Sequence, residues 1–305
     1  MSAFESLFVP VDGSEVSTAA VDFALRLAKA TGAAVTFAHA VDLTGAIAQC
    51  SSPYGATDVG PIIQALEDES KQILARATER AKAAGVSASA VELAGAAATA
   101  VLDAAAERKP SAIVIGTHGR QGVGRFFLGS TAEGVLRRAD VPVFVVSQSV
   151  EDGGGATPFS TIVVALDDSD PADAALEIAL ALAEAAKAGL VLAHAIDIRQ
   201  VYALAASQRY PATAAFAEER AAARALLDAA AQRAKARGVN AETVVLEGSP
   251  VESLLDVAGS RGAGLVAIGT HGRRGVRRLL FGSVAEGVTR ASSVPVVVVR
   301  QRPVG

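Results

Sequence analysis

An α/β fold, built as two repeats of an open, five-stranded parallel sheet flanked by helices, follows from three observations on the sequence. The segment from Ile115 to Val146 aligns without gaps onto that from Ile268 to Val299, with roughly two-thirds of positions identical. Within each half, short β-branched runs alternate with long alanine-rich stretches, the pattern of βα units on a parallel sheet. The chain has 305 residues, 51% of them hydrophobic, which is length and apolar content for two domains with separate cores.

In the first half the β-branched runs predict strands at 7–11, 35–40, 89–93, 112–116 and 143–147. Between them, stretches rich in Ala, Leu, Glu, Lys and Arg predict helices at 15–31, 61–84, 98–108 and 130–138. The second half repeats the order, with strands at 161–166, 190–195, 242–246, 265–269 and 296–300. Its helices start at Pro171, Pro211, Pro250 and Ser283, and proline suits a first helical turn. The repeats place one domain at 1–149 and the other at 160–305. The linker at 150–159 includes Gly153-Gly154-Gly155, a polar, flexible stretch that cannot bury apolar surface. The segments 43–60 and 197–210 differ between the halves and read as lids or partner surfaces.

Charge and cysteine usage narrow the function classes. A net charge of −4 provides no basic field for nucleic acid or acidic lipid. The single cysteine, Cys50, cannot form an internal disulfide and fits a reducing compartment, so a cytoplasmic location is expected. No run of about 18 apolar residues suggests a membrane span, and the first residues lack the basic-then-apolar pattern of a secretory signal.

The chemistry is concentrated in one repeated pattern. Gly116-Thr117-His118-Gly119 is followed after nine residues by Gly129-Ser130, and Gly269-Thr270-His271-Gly272 is followed after nine by Gly282-Ser283. A strand ends at the first glycine and a helix begins at the serine. Glycines let backbone approach a ligand, and free N–H groups at a helix start attract anions. Those groups belong to Ser130, Thr131 and Ala132, or to Ser283, Val284 and Ala285. Arg120, Arg125, Arg273, Arg274, Arg277 and Arg278 add positive charge to the loops. Taken singly, such glycines shape a turn and cap a helix; two copies with unchanged spacing favour a polyphosphate cradle.

Absences limit the alternatives. The sequence has no G-x-x-x-x-G-K-[ST], no G-x-G-x-x-G after the first strand, no G-x-S-x-G and no cluster of metal-ligand residues. No general base is evident. His39 and His194, at strand ends, read as structural groups, whereas His118 and His271 lie in the loops.

The pattern G-x2-G-x9-G-[ST], followed by A-E-G-V and a V-P-V-x-V-V strand, resembles the ATP-binding signature of the universal stress protein family. The resemblance extends to V-P-V-D-G-S at Val9 to Ser14 and to A-H-A-V-D at Ala38 to Asp42, and it covers nearly the whole chain in tandem. It implies a Rossmann-like fold of the adenine nucleotide alpha-hydrolase-like kind that binds ATP, alone or with Mg2+, at the carboxyl edge of the sheet.

By the same resemblance Pro10 and Val11 line the base, Asp12 contacts the ribose and the backbone at Ala40 and Val41 reads the adenine edge. Gly116, Gly119, Arg120, Gly129, Ser130, Thr131 and Ala132 surround the phosphates. The second site comprises Ala165, Leu166, Asp167, Ala195, Ile196, Gly269, Gly272, Arg273, Gly282, Ser283, Val284 and Ala285. Two departures mark it. Ala165 replaces Pro10, and Asp168 replaces Gly13, setting a second carboxylate beside Asp167 and making the first site the expected tighter one.

The function implied is a regulatory, stress-response protein that binds ATP and hydrolyses it slowly if at all. Its domains would pair as a pseudo-dimer through their last strands, with a homodimer as a further step. Two other readings stay open. One is an ATP-dependent transferase or hydrolase of a related fold, with its acceptor near Tyr54 or Tyr202; the other is a partner-binding module whose nucleotide sites are vestigial.

Overall fold

Strand and helix alternate through both halves of the computed structural model, which describes residues 4–43, 45, 59–117, 128–147, 159–270 and 282–300. The chain divides into two units, Ser2–Gln148 and Ser149–Gly305. The sequence-predicted linker lies almost wholly outside the described residues.

The first unit runs β1 (Ser6–Pro10), α1 (Glu15–Thr31), β2 (Ala34–Val41), α2 (Gly60–Ala83), β3 (Ala88–Ala94), α3 (Ala97–Arg108), β4 (Ala112–Gly116), α4 (Ser130–Arg138) and β5 (Val143–Val146). Its strands lie in the order β3-β2-β1-β4-β5. Every pairing within it is parallel, with Phe8 opposite Thr36 on one side of β1 and Ile113 on the other. Parallel strands covered on both faces must be apolar throughout, and Leu7, Phe8, Val9, Ile113 and Val114 are buried. The Phe144 ring meets Phe4 at 5.9 Å and Phe23 at 5.7 Å between centroids.

The second unit runs β6 (Thr161–Ala165), α5 (Asp170–Ala186), β7 (Gly189–Asp197), α6 (Ile198–Gln208), α7 (Ala212–Ala236), β8 (Ala241–Gly248), α8 (Pro250–Ser260), β9 (Leu265–Gly269), α9 (Ser283–Ala291) and β10 (Val296–Val299). The order is β8-β7-β6-β9-β10, again parallel throughout. Its core is mainly aliphatic, with Ile162, Leu176, Leu180 and Leu182 fully buried and Phe159 also buried.

All ten strands stand within two residues of the positions expected from the sequence. One element differs. Part of the segment read as a lid or partner surface is the helix α6, capped by Asp197, whose carboxylate accepts from the Arg199 N–H at 3.0 Å. Val201 and Ala205 on its inner face pack with Ile196, Ala215 and Ala223. Its counterpart at 43–60 falls largely outside the described residues. Pro211 is the N-cap of α7 rather than a first-turn residue.

In each unit the chain reverses direction across the sheet at one place, between β1 and β4 or between β6 and β9. Helices leaving these strands go to opposite faces, so a crevice opens at their carboxyl ends.

Candidate functional site

At the carboxyl end of β1, Val11 donates its N–H to the Ala38 carbonyl at 2.8 Å and so extends the ladder past Pro10. The chain then turns at Gly13, whose φ of 76° lies in the left-handed region that glycine enters without a Cβ penalty. Asp12 organises this turn, since its Oδ1 accepts from the Ser14 N–H at 3.0 Å and from the Ser14 hydroxyl at 2.6 Å. Ser14 in turn caps α1, its Oγ accepting from the Ser17 N–H at 3.1 Å. His39 lies 2.7 Å from the Val11 carbonyl; a carbonyl only accepts, so Nδ1 carries the proton. Ala40 and Val41 close β2 beside this turn.

The second unit repeats the arrangement. Leu166 donates to Ala193 at 2.9 Å, and Asp167 Oδ1 accepts from the Ser169 N–H at 3.2 Å and from its hydroxyl at 2.5 Å. His194 donates from Nδ1 to the Leu166 carbonyl at 2.7 Å. Asp168 takes the place of Gly13 with φ at 63°, and its side chain is exposed. Aspartate tolerates this conformation better than most residues.

In each unit the glycine-and-helix signature lies at the carboxyl edge of that unit's own strands. After β4, Thr117 donates to Val146 at 2.9 Å, and the returning chain is pinned by Gly129 donating to the Thr117 carbonyl at 2.5 Å. After β9, Thr270 and Gly282 repeat these bonds at 2.9 and 2.8 Å. Gly129 and Gly282 are the N-caps of α4 and α9, and neither helix has a side-chain cap. The first-turn amides of Ser130–Ala132 and Ser283–Ala285 precede the first backbone bonds, which Glu133 and Glu286 make to the cap carbonyls.

In the second unit these groups line one cavity of about 410 Å³. Ala165, Leu166, Asp167, Ala195, Ile196, Gly269, Gly282, Ser283, Val284 and Ala285 all face it. So do residues that the sequence did not assign to the cradle. Gln200, Val201 and Leu204 come from α6, Glu219 from α7, and Pro250 and Leu254 from α8. In the first unit Pro10, Val11, Asp12, Ala40, Val41, Gly116, Gly129, Ser130, Thr131 and Ala132 occupy the matching strand ends and helix start. Gly119, Arg120, Gly272 and Arg273, like His118 and His271, lie outside the described residues.

Gly116 and Gly269 have a packing reason that the sequence argument did not contain. A Cβ on Gly269 would stand 2.6 Å from the Pro171 carbonyl carbon and 2.7 Å from the Ala172 nitrogen, and one on Gly116 would stand 2.8 Å from Val16 Cγ1. Each glycine lets the first turn of α5 or α1 sit directly on the strand end. Ala172 from that turn lines the cavity too.

The sequence model of the Universal stress protein family matches residues 3–147 and again 158–300. The chain belongs to the universal stress protein family. A universal stress protein of Mycolicibacterium smegmatis is 27% identical over 304 residues, covering 97% of each chain. One from Methanocaldococcus jannaschii is 31% identical over 145 residues, 48% of this chain and 83% of that protein. Among solved structures, a universal stress protein from Archaeoglobus fulgidus superposes with a TM-score of 0.72 at 23% identity, covering 97% of this chain and 96% of the other.

This universal stress protein therefore carries two copies of the family domain, each with its own candidate cradle, and membership assigns it a stress-response role. The described lining of the second cradle combines apolar side chains with carboxylates. Among the described residues it is lined by Asp167, Asp197 and Glu219 and by no Lys or Arg. Positive potential there comes, among the described residues, from the start of α9, where the aligned peptide dipoles amount to roughly half a charge. No helix among the described residues is long and apolar enough to cross a membrane.

Proposed function

We propose that the second domain binds an adenine nucleotide, ATP in the first instance, in the cavity between β6, β7, β9 and the start of α9, and that the first domain does the same in its matching cradle. One observation carries this reading. The uncapped first turn of α9 opens into a cavity of about 410 Å³, the size of a small-molecule site, at the switch point of the sheet. Phosphate oxygens accept from the amides of Ser283–Ala285, the Asp167 carboxylate held by Ser169 accepts from ribose hydroxyls, and the apolar wall of Ile196 and Val201 takes the base.

The role is regulatory. Asp167 and Asp197 are engaged in turn and cap hydrogen bonds, and His194 is committed to the Leu166 carbonyl. These groups orient rather than exchange protons, which supports retention of ATP with slow hydrolysis at most. We place this activity in the cytoplasm, on the single cysteine of the sequence. Native mass spectrometry of the purified chain tests the reading. Bound adenine nucleotide, up to two per chain, supports it; a chain that stays nucleotide-free in excess ATP refutes it.

A further inference from the structure

We propose that Glu219 selects the base in the second cradle, accepting a hydrogen bond from the 6-amino group of adenine and rejecting purines with a 6-keto oxygen. This rests on the nucleotide reading above and adds to it the residue that chooses among purines.

Glu219 is half-buried on α7, and with Val201 and Leu204 it separates the main cavity from a neighbouring one of about 470 Å³. Among the described residues it has no hydrogen-bond or ion-pair partner, unlike the residues around it. Glu218 accepts from the Tyr210 hydroxyl at 2.6 Å. Arg220 binds Glu247 and lies 5.8 Å from the centre of the Phe216 ring. The other two carboxylates of the cavity, Asp167 and Asp197, hold Ser169 and the Arg199 N–H. A half-buried carboxylate in an apolar cavity is stabilised by a donor, and here a bound ligand supplies it.

The topology fixes which end of the ligand Glu219 meets. The start of α9 lies on the β9–β10 side of the cavity, whereas α7 packs on β7 and β8, beyond β6. Adjacent strands are about 4.8 Å apart, so β9 and β7 are separated by roughly 10 Å, about the span of a nucleotide from α-phosphate to base. Phosphate is drawn to the amides of Ser283–Ala285 and repelled by a carboxylate. The base therefore lies toward α7, flanked by Ile196 and Val201, with Leu204 at the rim. An ionised carboxylate only accepts hydrogen bonds. Adenine offers an amino group to it; hypoxanthine and guanine offer a keto oxygen at that position, which leaves two acceptors facing each other, and only their N1–H, one atom along the base edge, can donate to a carboxylate.

The test is titration of the intact chain with ATP and with ITP, which differ in the 6-substituent and in the proton that ITP carries on N1, following the methyl resonances of Ile196, Val201 and Leu204. ATP is expected to bind at least about tenfold more tightly than ITP, and Glu219→Gln to bring the ratio below about threefold, because the amide also donates to a keto oxygen. Glu218→Gln, one residue along the helix, is expected to keep the wild-type ratio. If ATP perturbs these methyls but Glu219→Gln leaves the ratio unchanged, or Glu218→Gln narrows it equally, Glu219 does not read the base and the nucleotide site stands without it. If neither nucleotide perturbs them, the nucleotide reading of this cradle fails and the proposal fails with it.

Discussion

The Ser169 hydroxyl donates to Asp167 Oδ1 across 2.5 Å while its oxygen accepts from the Ala172 N–H at 3.3 Å, so one serine both caps α5 and holds the carboxylate at the cavity wall. Ser14 does the same for Asp12 and the Ser17 N–H. Ser169→Ala is expected to cost about 1 kcal/mol of stability, the usual value of an N-cap. It should also weaken ATP binding, because Asp167 loses the shorter of its two hydrogen bonds from Ser169. Chemical denaturation and calorimetric titration measure the two effects; lost stability with unchanged affinity would mean that Asp167 does not touch the ligand.

Asp168 shares the left-handed conformation of Gly13, but its side chain is exposed and is not among the residues that line the cavity. The phosphate repulsion expected from its sequence position is thus weakened by solvent. Asp168→Gly should leave ATP affinity within about twofold and stability within about 1 kcal/mol, since relief of the backbone is offset by a more flexible unfolded chain. A tenfold gain in affinity would restore the repulsion argument.

Gly269 is held to glycine by backbone atoms of Pro171 and Ala172. Gly269→Ala is therefore expected to lower stability by about 1–3 kcal/mol in the absence of any nucleotide, as overpacking does. Thermal denaturation of the nucleotide-free protein checks this. An unchanged midpoint would return the glycine to a purely ligand-facing role.

On the outer face, Arg237 donates to both oxygens of Glu184 at 2.8 and 2.6 Å and to Glu177 at 3.0 Å, tying α7 to α5. The hydrogen bond from Arg237 holds the Glu184 carboxyl below its ordinary value of 4.5. A depressed folded-state pKa means that the contribution is complete above about pH 4.5 and is lost as pH falls through the folded value. The groups are partly exposed, so Arg237→Ala should cost at most about 1 kcal/mol at neutral pH. The gap from wild type should close in acid; a gap that stays constant down to pH 3 would contradict the pairing.

The strand-and-helix alternation was legible because parallel strands buried on both faces, such as β4 and β9, read as unbroken apolar runs. The cradle was legible where residue type and geometry coincide. Asp167, Gly282 and Ser283 sit at element boundaries that any βα unit must have, and the repeat fixed their spacing. The helix α6 was harder to read, because Tyr202 and Leu204 are exposed and break the apolar stripe that Val201 and Ala205 begin. Glu219 was not legible at all. It stands in the run Glu218-Glu219-Arg220, in which each residue reads as a solvated helix face, and only the phase of α7 against the sheet turns it toward the cavity. Gly269 was legible as a glycine, but its contact with Pro171 joins residues nearly a hundred positions apart and has no local signal.

The central claim, that phosphate binds at the starts of α4 and α9, is tested most directly by calorimetric titration of Ser130→Asp with Ser283→Asp. Both serines are exposed first-turn residues, where a carboxylate suits the helix dipole, so the folds should be as stable as wild type or slightly more so. The same carboxylates occupy the position that the phosphates need and repel them. The account predicts that wild type binds ATP and that the double variant binds it at least about tenfold more weakly with an undiminished melting temperature. Equal affinity in the two proteins would contradict it.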